Sequence, residues 1–125
     1  MKRIISILCL AGILDAATGS EPALGDVERG RKVFATCAAC HREVSAEVPN
    51  PGPDLRGVLG RPSASMPNFR YSRALRNAKW TWSEAALNSF LTDPQAAVPG
   101  NTMPFPGLPD DAQRQDLIAY LKTFK

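Results

Sequence analysis

The sequence is poor in the residues from which most metal centres are built. Its 125 residues contain one histidine and three cysteines, whereas a structural zinc site needs about four such ligands. The length suits one domain and no more. Alternating polar and apolar residues, internal repeats and low-complexity tracts are absent. The missing alternation argues against a β-sheet and favours an all-α fold.

The sequence also has little excess of positive over negative charge. The formal net charge is only +3, and loss of an N-terminal segment containing Lys2, Arg3 and Asp15 would lower it by one. A bulk charge of this size gives no support for a role in binding nucleic acid or an anionic membrane.

The sequence has no apolar run long enough to span a bilayer, which takes about 20 residues. Residues 4–14 are largely apolar, follow a positively charged N-terminus and precede the small residues 16–19. This order is typical of a secretory signal. We therefore expect residues 1–19 to be a cleaved signal peptide and residues 20–125 to form one domain in the periplasm.

Two of the cysteines and the single histidine lie together in the stretch Cys37-Ala38-Ala39-Cys40-His41. This C-x-x-C-H pattern is the attachment motif of c-type haem, in which two thiols bind the haem and the histidine ligates iron. A helical turn and a half places both sulfurs at one haem edge and the imidazole under the metal. The motif predicts one covalent haem c, attached through Cys37 and Cys40 and ligated by His41.

Two other uses of these cysteines compete with haem attachment. A thioredoxin-like redox pair opens a helix after a β-strand, and no strand rich in Val and Ile precedes Cys37. A structural disulfide is compatible with an oxidising compartment, but it leaves His41 unexplained. The third cysteine, Cys9, lies in the predicted signal peptide.

Periodicity and capping patterns predict four helices. The first covers residues 25–34, and the second covers residues 72–78. The third is predicted from a capping-box pattern at Thr81 to Glu84 and ends before Pro94, and the last follows Asp110. Gly30 costs about 1 kcal/mol in a helix interior relative to Ala, so we expect another helix to cross closely there.

Residues 42–70 and 93–109 are rich in proline and glycine and are predicted to be loops. Long loops without regular structure are unusual in a small domain. A large, flat and apolar group such as haem would give them a surface on which to pack.

With these elements placed, the chain resembles the class I cytochromes c, the small monohaem proteins of mitochondria and bacteria. The resemblance covers residues 25–125 and rests on motifs that occur in matching order. These are Gly30-x-x-x-Phe34, the C-x-x-C-H stretch, Gly52-Pro53-Asp54-Leu55-x-Gly57, Gly60-Arg61, Phe69-x-Tyr71-Ser72-x-Ala74, Trp82, Pro99-Gly100-x-x-Met103-x-Phe105-x-Gly107 and residues 117–121. It implies the cytochrome c fold, with four to five short helices and long ordered loops around one covalent haem.

The resemblance also implies the iron ligands. Met103 would be the sixth ligand together with His41, and such Met/His ligation raises the reduction potential. The Pro53 carbonyl would accept a hydrogen bond from the other ring nitrogen of His41. Met66 lies in the proline-rich loop, where we expect it to serve in packing.

Three further residues are implied to surround the haem propionates. The hydroxyl of Tyr71 and the indole N–H of Trp82 would reach a propionate, and Arg61 would offset its charge. Both aromatic residues would also suit a plain core, because buried aromatics with polar groups usually find partners.

The chain departs from the mitochondrial members around Met103. Gln95, Ala96 and Thr102 stand where lysines usually surround the haem edge, which puts the usual partner surface in doubt. Asn101 replaces a frequent threonine.

Two departures lie elsewhere in the sequence. Phe90 replaces a frequent tyrosine, and a cationic cluster is formed by Arg70, Arg73, Arg76 and Lys79. We interpret the cluster as a solvated face, with a displaced docking patch as the alternative.

Together these features predict a one-electron carrier that is not an enzyme, because two strong axial ligands leave no open site on iron. We expect a monomer that docks transiently with periplasmic or membrane-bound redox proteins at the haem edge. A dehydrogenase or cytochrome complex would be the donor, and an oxidase or reductase the acceptor. The alternatives are a haem subunit held permanently by a dehydrogenase or oxidase, and a haem enzyme or gas sensor with a labile sixth ligand.

Overall fold

The structure is a computed structural model that describes residues 24–41 and 50–125. The predicted signal peptide, residues 1–19, lies outside these ranges, as does the segment 42–49 of the first predicted loop. The described residues form five helices: α1 (Val27–Phe34), α2 (Arg73–Ala78), α3 (Glu84–Thr92), α4 (Pro94–Ala97) and α5 (Asp111–Leu121). No strand occurs in the described part, which confirms the all-α prediction. None of these helices is long and apolar enough to cross a membrane.

Short polar side chains fix where the helices begin. Asp26, Ser72 and Asp110 precede α1, α2 and α5, and each accepts a hydrogen bond from the backbone N–H three residues further on. Such caps satisfy donors that the first turn of a helix leaves unpaired. The second and last predicted helices are confirmed, with α2 beginning directly after Ser72.

The predicted capping box at Thr81 is wrong. The helix begins two residues later, where the Ser83 hydroxyl accepts a hydrogen bond from the N–H of Ala86 at 3.1 Å. Thr81 is instead held in an extended bridge to Pro62. The carboxylate of Glu84, which the pattern assigned to capping, forms an ion pair with Lys122 of the C-terminal segment.

The prediction that residues 93–109 form an uninterrupted loop is also wrong, because they contain α4. Asp93 caps this short helix by accepting hydrogen bonds from the N–H groups of Gln95 and Ala96. Pro94 occupies its first position, where the missing N–H costs nothing. The same proline therefore ends α3 and begins α4.

The close crossing expected at Gly30 is confirmed. A Cβ atom on Gly30 would lie 1.9 Å from the backbone oxygen of Asp116 in α5, so no larger residue fits. Phe34, one turn further along α1, packs on Tyr120 with ring centroids 5.4 Å apart. Val27, in the first turn of α1, is 40% exposed, because α1 meets α5 further along, at Gly30 and Phe34.

A buried carboxylate fastens the start of α1 to α5. Asp116 Oδ1 accepts a hydrogen bond from the backbone N–H of Asp26 at 2.6 Å, and its Oδ2 accepts one from Arg29 Nε at 2.8 Å. Hydrogen bonding from Arg29 holds the pKa of this carboxyl below its usual value, and the Asp26 N–H adds to the effect. No pattern in the sequence indicates this contact.

The core lies between α5, α3 and the loops. Leu117 and Ile118 of α5 are its most deeply buried side chains, at 1% and 2% exposure. Leu87, Phe90 and Leu91 of α3 pack in the same cluster. One side of this cluster opens into a cavity.

Candidate haem-binding site

An apolar cavity of about 350 Å³ lies beside the core, and its wall comes from α1, α2, α3, α5 and both proline-rich loops. Phe34, Leu55, Leu75, Leu87 and Leu117 contribute apolar surface. Ligand sites in proteins are usually concave and mostly apolar, with a few polar groups that fix orientation. The loops expected to wrap around a flat apolar group do line such a space.

All eight residues predicted for the site line this one cavity. They are Cys37, Cys40, His41, Pro53, Arg61, Tyr71, Trp82 and Met103. Met66 is not among the lining residues, and its backbone N–H donates a hydrogen bond to the Tyr71 hydroxyl at 3.2 Å. The fold therefore brings together residues that are up to 66 positions apart in the chain.

The cysteine motif continues the backbone turn that follows α1. The N–H groups of Cys37 and Ala38 both bond to the Phe34 carbonyl, and those of Cys40 and His41 bond to the Cys37 carbonyl. Both thiols are free, so the disulfide alternative is not formed. Burial raises the pKa of the Cys37 thiol, and the neighbouring Cys40 adds to this. A reactive redox pair would instead need a lowered thiol pKa.

The imidazole of His41 is fixed by the next loop. Its Nδ1 lies 2.8 Å from the carbonyl oxygen of Pro53. Because a carbonyl can only accept, Nδ1 carries the proton and Nε2 keeps a free lone pair. Burial lowers the pKa of His41, although the Pro53 hydrogen bond opposes this. The ring is therefore neutral near pH 7 and suited to bind a metal through Nε2.

Gly52 leaves space for this ring. A Cβ at position 52 would lie 2.6 Å from His41 Cε1 and 2.7 Å from Nδ1. Any side chain there would displace the imidazole from the Pro53 carbonyl. The sequence motif contained this glycine, but periodicity and composition did not reveal its contact with the ring.

The loop that carries Met103 is held by a buried amide. Asn101 is 7% exposed, and its Nδ2 donates hydrogen bonds to the carbonyls of Pro94 at 2.7 Å and Val98 at 2.9 Å. Its Oδ1 accepts a hydrogen bond from the N–H of Met103 at 3.0 Å. Gln95 Nε2 bonds to the Asn101 carbonyl at 2.8 Å. The sequence marked Asn101 as a departure from the family pattern that could alter the mobility of this loop, but it did not reveal these hydrogen bonds.

A third part of the wall joins Arg61 to Trp82. The backbone N–H of Trp82 donates a hydrogen bond to the Arg61 carbonyl at 2.9 Å, which sets the two residues side by side. The Arg61 guanidinium donates to the carbonyls of Asp54 and Arg56, both at 2.9 Å. Trp82 is 7% exposed and contacts Phe90 with ring centroids 5.1 Å apart.

The donor set fits a haem. Two thiols and an imidazole lie on one short turn, a thioether is present in the same cavity, and the remaining wall is mostly apolar with one cation. This combination of soft sulfur and nitrogen ligands suits haem iron. Within residues 24–41 and 50–125, no group of three His, Cys, Asp or Glu side chains could hold a separate metal ion.

The sequence profile of the family described as Cytochrome c matches residues 27–125. The chain belongs to the cytochrome c family. It is 45% identical over 101 residues to the cytochrome c2 of Rhodoblastus acidophilus, covering 81% of this chain and 94% of that protein. It is 43% identical over 107 residues to the cytochrome c of Chlamydomonas reinhardtii, covering 85% and 96%. Among solved structures, cytochrome cH from Methylobacterium extorquens has a TM-score of 0.72 and 42% identity, covering 79% of this chain and 99% of that chain.

Membership in this family confirms the predicted resemblance to cytochromes c and the predicted haem c cofactor. Members of this family carry a covalent haem c, and Cys37 and Cys40 have the spacing of its attachment motif. This cytochrome is therefore an electron-transfer protein with one haem c. The roles of the ligands and of the residues around the propionates stay predictions, and the geometry of the cavity is what supports them.

Proposed function

We propose that this chain is a periplasmic one-electron carrier whose haem iron is held by His41 and Met103. The observation that carries the proposal is the shared cavity: a fixed imidazole, two attachment thiols and a methionine with an anchored backbone line the same space. When bound, the haem supplies a one-electron Fe(II)/Fe(III) couple.

The chain's residues would set the properties of that couple. Pro53 holds the tautomer and the orientation of His41 through the 2.8 Å hydrogen bond, which makes the imidazole a better ligand. Asn101 restricts the backbone of Met103, which fixes the point from which the thioether side chain extends. The apolar wall excludes water, which favours the less charged ferrous state.

Arg61, Tyr71 and Trp82 would face the propionates. Each lines the cavity and carries a hydrogen-bond donor. Burial raises the pKa of the Tyr71 hydroxyl, so that the group stays protonated and able to donate near pH 7. The Arg61 side chain is anchored at two carbonyls, and it therefore offers a fixed positive charge beside the site.

The anchored backbone of Met103 favours this function over a haem enzyme or gas sensor. A labile sixth ligand would need a loop that can move away from iron, whereas a buried amide ties Met103 to α4. We therefore infer that no coordination site opens for a substrate.

Free diffusion is favoured over a permanent place in a larger complex. In the described part of the chain, the exposed large apolar residues are Leu24 and Val27, and neither lines the cavity. A permanently held subunit would present a contiguous apolar patch around its redox site. Transient docking needs only a small and mostly polar surface.

Carbon monoxide binding tests the assignment. The ferrous holoprotein at neutral pH is expected to bind no carbon monoxide, because both axial positions are filled. It should also be oxidised and reduced reversibly by one electron. Rapid, stoichiometric binding of carbon monoxide would contradict the carrier assignment and support the enzyme or sensor.

The compartment is tested separately. The predicted signal peptide and the covalent attachment of haem support a periplasmic location. We expect holoprotein from a bacterial host with a haem-ligation system to appear in the periplasmic fraction, with a mass that corresponds to cleavage near residue 19. Holoprotein that stays in the cytoplasm with residues 1–19 intact would contradict the location and leave the electron-transfer role unaffected.

A further inference from the structure

Positive charge is concentrated on one part of the structure. Residues 55–83 contain six cationic and no acidic side chains. The other described residues contain six cations and eight carboxylates. Although the net charge of the chain is modest, the positive charge is therefore unevenly distributed between this segment and the other described residues.

Four of these cations form what we call the α2 basic surface: Arg70, Arg73, Arg76 and Lys79. All four are exposed. Within the described residues, none of them lies within 4.0 Å of a carboxylate, although Arg76 donates a hydrogen bond to the Tyr71 carbonyl.

Cations elsewhere in the structure are mostly paired. The partners are Asp116 for Arg29, Glu28 for Arg31, Asp54 for Arg56, Asp111 for Arg114 and Glu84 for Lys122. Among the described residues, the α2 basic surface thus differs from the other cations in carrying several like charges that are not paired with a carboxylate. Such a patch creates a local positive potential that attracts acidic molecules.

The α2 basic surface adjoins the redox site. Leu75 and the cap residue Ser72 of the same helix line the haem cavity, and so does Tyr71 beside them. Ala74 lies against the loop that carries Met103, since a Cβ on Gly100 would be 3.6 Å from Ala74 Cβ. A molecule bound to the outer side of α2 would therefore be separated from the cavity by the width of this one helix, about 10 Å.

We propose that the α2 basic surface is the docking site for an acidic redox protein. This inference rests on the proposed function and names where its partner binds. Complementary charge increases the rate of encounter and orients the partner, and the position of α2 brings that partner next to the haem cavity. The site replaces the one around Met103, where Gln95, Ala96 and Thr102 carry no charge.

A protein partner fits better than a lipid surface. Peripheral membrane binding combines basic residues with inserted apolar side chains. The large exposed apolar residues of the described part are Leu24 and Val27, which are not on α2. The α2 basic surface offers charge and polar groups only, and this is the composition of a weak, transient interface between proteins.

The test compares two double variants of the holoprotein with the same change in net charge. Arg70→Glu/Arg73→Glu reverses two charges of the α2 basic surface. Lys32→Glu/Lys125→Glu reverses two exposed charges on α1 and at the C-terminus. None of the four residues lines the cavity, so the haem spectrum should be unchanged in both.

The probe is reduced flavodoxin, an acidic protein that donates one electron to the ferric protein and is itself oxidised by one electron. At low ionic strength, the α2 variant should be reduced more slowly, on the order of tenfold, and its rate should lose most of its salt dependence. The control variant should change by less than about twofold. Equal slowing of both variants, or no slowing of either, would overturn the proposal.

Reduced lumiflavin, a small uncharged donor, separates docking from electron transfer itself. It should reduce the parent and both variants at the same rate, because it does not depend on a charged surface. If it fails to reduce even the parent protein, the proposed carrier function is wrong, whatever the docking site.

Vesicles containing phosphatidylserine separate a protein partner from a membrane. They should bind neither the parent nor the variants at physiological salt. Vesicle binding that only the α2 variant loses, with unchanged flavodoxin rates, would assign the surface to a membrane and overturn the proposal.

Discussion

The side chain of Asn101 accepts a hydrogen bond from the backbone N–H of Met103 at 3.0 Å. The same amide donates to two carbonyls at the ends of α4. One buried side chain therefore joins a short helix to the residue proposed as the sixth iron ligand. Because Met103 has a flexible side chain, the precision of its position depends on how firmly its backbone is held.

Replacing Asn101 by Ala should loosen this ligand. The substitution removes three hydrogen bonds and leaves buried polar groups with fewer partners, at a cost of about 1–3 kcal/mol in unfolding free energy. We expect the sulfur-to-iron charge-transfer absorption to weaken in the ferric protein. Chemical denaturation and the visible spectrum measure the two effects.

A matched substitution is Asn77→Ala on the exposed side of α2. It should change neither the absorption band nor the stability by more than about 0.5 kcal/mol. An unchanged band in Asn101→Ala would show that the thioether is positioned by the cavity wall alone.

Replacing Met103 by Ala should open the sixth position. The ferrous variant should then bind carbon monoxide stoichiometrically, the charge-transfer absorption should vanish, and the reduction potential should fall, because loss of a thioether ligand disfavours the ferrous state. Met66→Ala is the control, since Met66 does not line the cavity. Retention of the absorption in Met103→Ala, with its loss in Met66→Ala, would reverse the ligand assignment.

The fold could be predicted in outline because its signals are local. Ser72 and Asp110 mark helix starts that the structure has at those places. The C-x-x-C-H turn predicts its cofactor from the spacing of the cysteines together with the adjacent histidine. At α3 the local signal was misleading: Thr81 and Glu84 satisfy the capping pattern, but the backbone bond of Trp82 to Arg61 keeps this segment extended.

The site could be predicted in its residues but not in the contacts that hold them. The family resemblance supplied Pro53, and the structure has its carbonyl at the His41 ring. The contacts of Gly52 and Asn101 depend on loops that fold back from distant parts of the chain. No periodicity records such contacts, because loop conformation is set by tertiary packing rather than by local propensity.

Replacing Gly30 by Ala tests the helix crossing, because the sign of the change in unfolding free energy depends on how close α5 lies. A glycine in an ordinary exposed helix position would gain about 1 kcal/mol of stability on becoming Ala. Here the new Cβ would meet the Asp116 carbonyl at 1.9 Å, so α1 and α5 would have to separate. We expect a loss of about 3 kcal/mol or more in the free energy of unfolding, measured by denaturant titration of the holoprotein.

Gly57→Ala separates this effect from the general cost of changing a glycine. Gly57 has φ of +64°, and a Cβ on it would meet no atom within 4 Å, so only backbone strain opposes the change, at about 1–2 kcal/mol. A stabilised Gly30→Ala protein would contradict the tight crossing.

Replacing Asp116 by Asn should remove a pH-dependent part of the stability. The pKa of this carboxyl is lowered in the folded protein by Arg29 and by the Asp26 N–H. A lowered folded pKa stabilises the protein above the unfolded value of about 3.9, and the stabilisation is lost as pH falls through the folded pKa. We expect Asp116→Asn to have a lower denaturation midpoint than the parent at pH 7.

The difference between the two proteins should shrink as the pH is lowered below about 4, because the protonated carboxyl then resembles the amide in charge. Glu28→Gln is the matched control, since its carboxylate is exposed and its ion pair in the described part of the chain is with Arg31 on the same helix, and such surface pairs contribute little. Because Asp116 lies under α1, its neutralisation should act on the α1 and α5 contact and leave the haem spectrum unchanged. A pH-independent difference would mean that Asn disturbs the packing at this position rather than removing a charge.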